Sequence, residues 1–288
     1  NITFLGFGGI IKQKHLPALK KLSFSGTVHA FDVKAWRDPA GYDVKAIGDT
    51  PIPDADLHVL ASPGRVHNAA IPLLRNARGS ILIEKPLCYT APEMAEWEEL
   101  DRHRTAASLG RVFVLHNSRF KANVVEMFKH MQTFNPGKLL HVDVHYQSPS
   151  VGKHSPAWRR DERGSQTLLM DYALHWMDLA CMFSRSAWDI VDLKSSINYQ
   201  NQTDLISGKL NNAEYTVNFV LRQGFIPRRC RVLYTFENYL CSLGFFPDSF
   251  MPQMSFDSWT FHKREGKANF RATIGKVIDK FSKRDRDT

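Results

Sequence analysis

One apolar stretch of the chain, residues 168–183, contains ionisable side chains. Asp171, His175 and Asp178 are spaced four and three residues apart, so a helix places them in one stripe on a single face. Buried carboxylates are costly unless they are paired or line a polar site, and a histidine titrates at about 6.5. The spacing therefore predicts that Asp171 and His175 form a proton-transfer pair and that Asp178 is structural. The alternative is a core histidine with a structural aspartate partner.

A glycine-rich turn stands near the start of the chain, where residues 6–11 read Gly-Phe-Gly-Gly-Ile-Ile between a predicted strand and a predicted helix. In a dinucleotide-binding turn, the first glycine makes the bend and the second lets the backbone approach a pyrophosphate. The third glycine of that pattern is Ile11 here. A plain strand-to-helix turn is the alternative. The candidate cofactor-binding residues of the turn are Gly6, Gly8, Gly9 and Ile10.

A carboxylate, Asp32, follows the second predicted strand. It lies about 20 residues beyond the glycine turn, where an acidic side chain hydrogen-bonds the adenosine ribose of NAD. An acid at this position repels a 2′-phosphate, so NAD(H) is favoured. Lys34 and Arg37 lie close enough in sequence to accept that phosphate, so NADP(H) remains open. The alternative for Asp32 is a solvated turn residue.

A lysine ends a later predicted strand, residues 80–83, in the sequence Glu84-Lys85-Pro86. It is predicted to lie at the carboxyl edge of the sheet, where open α/β folds bind ligands. Its ammonium offers three donors to a substrate hydroxyl or carbonyl, although a lone lysine before proline is usually only a turn. The candidate cofactor-binding residues at this edge are Ser62, Pro63, His67, Glu84 and Lys85.

Two patterns of predicted elements position these residues. Over residues 1–116, short apolar strands alternate with helices, which is typical of a parallel sheet covered on both faces. From residue 139 onward, strands of alternating character predict an open, mostly antiparallel sheet flanked by two helices. We therefore predict an α/β protein with an N-terminal doubly wound Rossmann domain, residues 1–116, and a C-terminal α+β domain, residues 117–288.

The predicted elements have the following bounds. The N-terminal strands are residues 2–7, 27–31, 57–61, 80–83 and 112–115, and the helices are residues 10–22, 66–76 and 91–104. The C-terminal strands are residues 140–146, 190–199, 213–221, 229–236 and 239–244, and the helices are residues 121–133 and 168–183. Apolar residues at helical spacing in 272–284 predict a terminal helix that packs back on the body.

Composition excludes several classes of protein. No run approaches the roughly 18 apolar residues that a membrane helix needs, so no membrane partner is expected. The 4 cysteines are scattered without metal-binding spacing, which predicts no metal site and reduced thiols of a cytoplasmic protein. The net charge of +9 is spread along the chain without a nucleic-acid-binding motif, so no nucleic-acid partner is expected.

Taken together, these motifs resemble the Gfo/Idh/MocA family, the group of glucose-fructose oxidoreductase, inositol dehydrogenase and related sugar dehydrogenases. Six motifs stand in the family's order. They are the glycine turn with His15-Leu16-Pro17, Ser62-Pro63 with His67, Glu84-Lys85-Pro86, Asn117-Ser118-Arg119-Phe120, Trp158-Arg159, and residues 171–178.

The resemblance implies NAD(P)-linked hydride transfer at a carbon of a sugar, nucleotide sugar or cyclitol, and a homo-oligomer formed through the open sheet. It implies that Lys85 binds and polarises the reacting oxygen, that His175 is the general acid/base, and that Asp171 orients His175 or holds a neighbouring hydroxyl. The implied substrate-side residues are Asn117, Arg119, Trp158 and Arg159.

Two features depart from the family pattern and bear on the substrate pocket. Residues 164–166 read Gly-Ser-Gln in place of the usual glycine-rich stretch, and the C-terminal domain is short. A regulator that binds the cofactor without turnover is the alternative function. The joint presence of Lys85, Asp171 and His175 argues against it, because a binding-only protein has no need of a proton-transfer pair.

Overall fold

The structure is a computed structural model that describes residues 1–149, 173–197, 203–224 and 227–253. The chain divides into two compact units, Asn1–His116 and Asn117–Thr288. Each unit is built on one sheet of seven strands. The helix predicted over 272–284 lies outside the described residues.

The first unit contains a mostly parallel sheet. Its strands are β1 (Ile2–Leu5), β2 (Val28–Asp32), β3 (Trp36–Arg37), β4 (Asp43–Ala46), β5 (Leu57–Leu60), β6 (Ser80–Glu84) and β7 (Val112–Leu115). They lie in the order β3-β4-β2-β1-β5-β6-β7, and only β3 runs antiparallel to its neighbour. Apart from β3, this is the strand order of a dinucleotide-binding domain, so the predicted Rossmann sheet is confirmed.

The helices of this unit are short where proline limits them. The predicted helix over 10–22 is a π-helical turn, Ile11–His15, followed by α1 (Leu16–Lys21). The predicted helix over 66–76 is two 3-10 turns, Gly64–Val66 and Asn68–Ala70, followed by α2 (Ile71–Leu74). The residues before the two prolines, Leu16 and Ile71, keep helical backbone, but Pro17 and Pro72 have no N–H to donate to the preceding turn, so the regular α-helical hydrogen-bond series begins only there.

A full-length helix, α3 (Ala91–Ala106), precedes β7. It begins at a capping box, because the Thr90 side chain accepts from the Glu93 backbone while the Glu93 carboxylate accepts from the Thr90 backbone. This arrangement satisfies two of the backbone N–H groups left over at a helix start. The sequence-based bounds of α3 were therefore close to those observed.

Residues 33–42 connect β2 to β4 without a helix, and the sequence analysis missed both β3 and β4. Parallel strands are ordinarily joined by a dozen or more residues, usually with a helix. The short connection leaves a cleft of about 1140 Å³ beside α1, lined by residues of α1 and of the connection, including Lys12, Leu16, Asp38 and Tyr42.

Alternate residues of the central strand enter two different cores. Phe4 of β1 packs with Phe7, Ile11 and Val59 on one face of the sheet, while Leu5 joins the cluster on the other face, as the two-residue period of a strand requires. Ile11 is 0% exposed. The position where the dinucleotide motif has its third glycine is therefore filled by a core side chain.

The second unit contains an open sheet. Its strands are β8 (Leu139–Ser148), β9 (Asp189–Ile197), β10 (Thr203–Asn211), β11 (Thr216–Gln223), β12 (Arg229–Phe236), β13 (Leu240–Phe245) and β14 (Ser249–Gln253). The order is β14-β13-β12-β8-β11-β10-β9, and every neighbouring pair is antiparallel except β8 and β11. The predicted mostly antiparallel sheet is thus confirmed, although β10 and β14 were not predicted.

Two described helices pack on this sheet, α4 (Ala122–Thr133) against β13 and β14, and α5 (Leu174–Cys181) against β8 and β12. The last turn of α5 is fixed by two buried tyrosines, since the Tyr234 hydroxyl donates to Leu179 O at 3.1 Å and the Tyr215 hydroxyl to Ala180 O at 2.8 Å. Burial raises the pKa of both phenols. They therefore remain hydrogen-bond donors at neutral pH.

The four cysteines are free thiols, and Cys88, Cys230 and Cys241 are buried, as the sequence predicts. Burial raises the pKa of Cys181 to about 12. Across the residues that the structure describes, no helix has the length and apolar character needed to cross a membrane.

A buried guanidinium fixes the loops at the amino edge of the first sheet. Arg104 is 0% exposed and donates to the backbone carbonyls of Leu74 and Ala77 through Nη1, and to those of Gly79 and Leu109 through Nη2. One side chain thus satisfies four carbonyl groups from three segments of the chain.

We expect Arg104→Ala to lower the free energy of unfolding by about 3–5 kcal/mol, because buried carbonyls lose their donors and a cavity remains. Urea unfolding followed by circular dichroism measures the change. The matched control is Arg102→Ala on the same helix, whose side chain is 74% exposed and pairs only with Glu99, and whose loss should change stability little. Equal stability of the two variants would contradict this account.

Candidate functional site

The glycine turn after β1 requires its first glycine for two reasons. Gly6 has φ +87°, and a Cβ there would lie 2.6 Å from the backbone nitrogen of Ser62. Its N–H donates to Phe31 O at 2.9 Å. No other residue type fits this backbone, so the turn lies tightly between the end of β2 and the loop after β5.

The next two glycines border open space. A Cβ on Gly8 would meet no atom within 4 Å, and one on Gly9 would meet only Gln13 Nε2 at 3.9 Å. Both residues are exposed. Side-chain crowding from the protein does not explain the glycine at position 8, whereas the close approach of a pyrophosphate to the backbone does.

Asp32 lies at the end of β2, beside the same turn. Its Oδ2 accepts from the Phe7 backbone N–H at 3.1 Å, and its Oδ1 accepts from the Val33 N–H at 2.7 Å. Each carboxylate oxygen keeps a further lone pair that can accept a ribose hydroxyl. The surrounding cleft has a volume of about 510 Å³ and is lined by Phe7, Gly8, Gly9, Lys12, Asp32, Val33, Lys34 and Trp36.

The residue before the candidate lysine is paired across the sheet edge. Glu84 Oε1 lies 2.8 Å from His15 Nε2, and the two side chains are only 13% and 18% exposed. His15 belongs to the turn that follows the glycines, and Lys85 continues the chain from Glu84. The contact therefore fixes the lysine's position relative to the glycine turn, and it accounts for Glu84 without a contact to the cofactor.

His67 joins the loops that follow β5 and β6. It is 0% exposed, with Nε2 2.8 Å from Ser62 O and Nδ1 3.3 Å from Leu87 O. Burial lowers its pKa, so the neutral ring donates from one of its two nitrogens. Its burial and its two carbonyl contacts let His67 position these loops, and its predicted role at the cofactor stays a prediction.

Further packing joins the same two loops. A Cβ on Gly64 would lie 2.8 Å from Pro86 Cγ, so the backbone after Ser62-Pro63 packs directly on the proline that follows Lys85. The Ser62 hydroxyl oxygen is buried and has no hydrogen-bond partner among the described residues. Lys85 itself is partly buried. The two loops therefore behave as one packed layer at the carboxyl edge.

In the second unit, His175 lies in the first turn of α5 and is partly buried. The next residue, Trp176, is buried between the rings of Phe245 and Tyr146, at centroid distances of 4.6 Å and 5.8 Å. This packing fixes the turn that carries the imidazole. Asp171, Trp158 and Arg159 lie outside the described residues, so the pairing of Asp171 with His175 stays a prediction.

Arg119 and Asp178 form a two-point ion pair. Arg119 Nε donates to Asp178 Oδ2 at 2.8 Å and Nη2 donates to Oδ1 at 2.6 Å, while the Asp178 side chain is 8% exposed. The hydrogen bond to Asp178 raises the pKa of Arg119. The pair holds α5 against the 3-10 turn Asn117–Phe120, where Asn117 is exposed. The Arg119 side chain is 46% exposed, and its role as a substrate residue stays a prediction.

Three residues beside the first cleft were not recognised from the sequence. Lys12, Trp36 and Asp38 form a contact cluster there. The signal that points to them is the length of the connection after β2, which is too short for a helix.

No group of three potential metal ligands occurs among the described residues.

No family model matches the sequence, and no curated protein matches it. Solved structures do match. The dehydrogenase MviM from Clostridium difficile aligns with a TM-score of 0.66 at 17% identity, over 88% of this chain and 80% of its own. UDP-N-acetylglucosamine 3-dehydrogenase GnnA from Acidithiobacillus ferrooxidans gives 0.67 at 15% identity, over 88% and 82%. WlbA dehydrogenase from Bordetella pertussis, in complex with NADH and UDP-GlcNAcA, gives 0.66 at 16% identity, over 84% and 78%.

The chain has the fold of these dehydrogenases. In the first unit of this fold, the glycine turn, Asp32, the Ser62-Pro63 loop and Lys85 follow β1, β2, β5 and β6 at one edge of the sheet. His175 lies on α5, a helix of the second unit. The resemblance seen in the motifs is thus matched by the fold, at identities that carry no information on substrate.

The neutral state of His67 predicts a pH dependence of stability. Its pKa is lowered in the folded protein. Below about pH 6.5, His67 therefore binds a proton in the unfolded chain more readily than in the folded chain. Stabilisation from this residue is present above the unfolded pKa and is lost as the pH falls. We expect the urea midpoint to drop between pH 7 and pH 5, and His67→Gln to flatten that dependence.

The control is Asn68→Ala, which removes the acceptor of the Trp97 indole N–H but no titrating group. It should lower the midpoint by a similar amount at both pH values. A pH dependence in His67→Gln as steep as in the wild type would show that His67 does not contribute.

Proposed function

We propose that the chain is an NAD(P)-dependent oxidoreductase that transfers a hydride between nicotinamide and a hydroxyl-bearing carbon of a sugar, nucleotide sugar or cyclitol. The observation that carries the proposal is the open space at Gly8, beside an aspartate held by two backbone N–H groups. Steric need within the protein explains Gly6 but not Gly8. A ligand at the turn explains both.

The residues that would hold the cofactor fit its parts. The backbone of Gly8, Gly9 and Ile10 would receive the pyrophosphate, and Asp32 the adenosine ribose. The Ser62-Pro63 loop lies next to Gly6 and would border the nicotinamide half. A bound nicotinamide supplies or accepts the hydride, and the protein supplies orientation and proton transfer.

We assign Lys85 to the reacting oxygen. Its ammonium would bind the substrate hydroxyl or carbonyl and stabilise the negative charge that develops on oxygen. Support comes from the contacts that fix its position, namely the His15–Glu84 pair before it and the His67 and Gly64 contacts after it. A group that stabilises charge must be held before reaction begins, and these contacts do so.

We assign His175 to proton transfer, with Asp171 as the residue that orients it. The imidazole would accept the hydroxyl proton during oxidation and return it during reduction. The buried Trp176 and the Arg119–Asp178 pair hold the helix turn that carries it. Exposed Asn117, together with Trp158 and Arg159, remains a proposed substrate contact.

The remaining assignments follow from the same features. NAD(H) is proposed as the preferred cofactor because of Asp32. A nucleotide-sugar substrate is one candidate class, since the WlbA structure contains UDP-GlcNAcA.

The described helices pack on one face of the second sheet, and we propose that its other face, which carries His145 and Asn218, forms a homo-oligomer. Free cysteines fit a reducing, cytoplasmic compartment.

Two glycine variants test the cofactor site. Gly8→Val should leave the urea midpoint close to that of the wild type, because its Cβ would meet no protein atom within 4 Å, yet it should abolish NADH binding by occupying the pyrophosphate position. Gly6→Ala should instead lose stability, because its Cβ would overlap the Ser62 backbone. Calorimetric titration gives affinity. Unchanged NADH affinity in a folded Gly8→Val variant would contradict the proposed site.

Two further variants test the chemistry. Lys85→Ala and His175→Ala should each leave NADH affinity nearly intact and reduce kcat by about 10²–10⁴-fold on the substrate found by screening sugars, nucleotide sugars and cyclitols. Matched controls are Lys45→Ala, at an exposed strand position, and His103→Ala, on α3. Wild-type rates in either test variant would remove that residue from the mechanism. Cofactor binding without turnover across the panel would favour the regulatory alternative.

A further inference from the structure

An ion pair between a half-buried lysine and a buried aspartate lies against the proposed adenosine end of the cofactor site. Lys12 Nζ is 2.5 Å from Asp38 Oδ2 and 4.0 Å from the centre of the Trp36 ring. Lys12 and Trp36 line the 510 Å³ cleft together with Asp32 and Lys34, whereas Asp38 lines only the larger cleft on the other side of Lys12. Lys12 therefore separates Asp38 from a ligand in the smaller cleft.

The turn that replaces the crossover helix holds Asp38 in place. Its backbone N–H donates to Tyr42 O at 2.8 Å, and its Oδ1 accepts from the Ala40 N–H at 2.9 Å. The side chain is 5% exposed, and the hydrogen bond from Lys12 lowers its pKa. A buried carboxylate that stays ionised needs its cation. Lys12 is therefore held at Asp38 rather than free to extend into the cleft.

NADPH differs from NADH only by a 2′-phosphate on the adenosine ribose, next to the hydroxyls assigned to Asp32. Two ammonium groups line the cleft, and Asp38 neutralises that of Lys12. The other, Lys34, is exposed and makes no ion pair within the described ranges, so water and salt screen its charge. The state of Lys12 thus controls how much positive charge a 2′-phosphate would meet.

We propose that Asp38 is a positioning residue for cofactor selectivity, which favours NADH over NADPH by retaining the Lys12 ammonium on Trp36. The inference rests on the proposed function, since it takes the cleft to be the adenosine site. While Lys12 is paired with Asp38, a 2′-phosphate meets the Asp32 carboxylate and no unpaired Lys12 ammonium. Releasing Lys12 would add a charged hydrogen-bond donor for that phosphate.

The test is a titration of the full chain and its variants with NADH and with NADPH, followed by tryptophan fluorescence, to which Trp36 contributes from within the cleft. The wild type should bind NADH more tightly. Asp38→Asn, which can still accept the Ala40 hydrogen bond, should raise NADPH affinity relative to NADH by about tenfold. The gain should shrink as salt is added.

Two further variants identify the cause of any gain. Lys12→Gln/Asp38→Asn should return the ratio of the two dissociation constants to near the wild-type value, because the released ammonium is then absent. Asp43→Asn removes the same charge at an exposed position of β4 away from the cleft and should leave the ratio unchanged. If Asp38→Asn does not fold, Lys12→Gln alone should weaken NADPH severalfold, because the Asp38 charge is then unbalanced, and should change NADH little.

The outcomes separate the inference from the proposed function. An unchanged ratio in folded Asp38→Asn, an equal gain in Asp43→Asn, or a wild type that prefers NADPH overturns the role of Asp38 while the dehydrogenase proposal stands. Absence of binding of either nucleotide to the wild type overturns both.

Discussion

The carboxyl edge of the first sheet depends on one steric constraint, the approach of the glycine turn to the loop after β5. Gly6 lies so close to the Ser62 backbone that a single methyl group cannot enter. Because β1 is the central strand between β2 and β5, this approach brings three loops to one place. The open space at Gly8 and the amide-bound Asp32 follow from it.

Polar contacts behind the edge then fix what the turn has brought together. The His15–Glu84 pair and the His67 ring between two carbonyls each connect segments distant in sequence. Each is partly or fully buried, so each carries a strong penalty if broken. Such supporting contacts hold a functional group within the narrow tolerance that binding and catalysis need. The second unit uses the same device, with Arg119–Asp178 and two tyrosine hydroxyls holding the helix of His175.

The sequence was most informative where local sterics or strong periodicity decide the structure. The glycine turn, the apolar strands β1, β5 and β6, the capped helix α3 and the change to an antiparallel sheet were all predicted for that reason. It was least informative where tertiary contacts decide. In β4 only Val44 is fully buried, so its sequence shows no alternation of apolar and polar residues. The π-helical turn Ile11–His15 has no characteristic spacing of apolar residues that the sequence could reveal. Asp178 pairs with a residue 59 positions away, so the sequence did not predict the ion pair with Arg119. Nor did it predict the burial of His67, because burial of a histidine cannot be read from its neighbours in sequence.

The replacement of a crossover helix by residues 33–42 is the feature that most distinguishes this Rossmann domain from the general pattern. It opens one side of α1 and places Trp36 and Asp38 where a helix would begin. The same change brings a lysine of the glycine-turn segment, Lys12, into contact with both. A tight turn therefore shapes the adenosine end of the proposed site. The net charge of that end depends on the Lys12–Asp38 pair.

A crystal structure of the full chain grown with saturating NADH tests the central claim most directly. The account predicts the pyrophosphate over the backbone of Gly8 and Gly9, with a ribose hydroxyl at hydrogen-bond distance from Asp32. A nucleotide bound elsewhere, or a cleft with no nucleotide at that concentration, would contradict it.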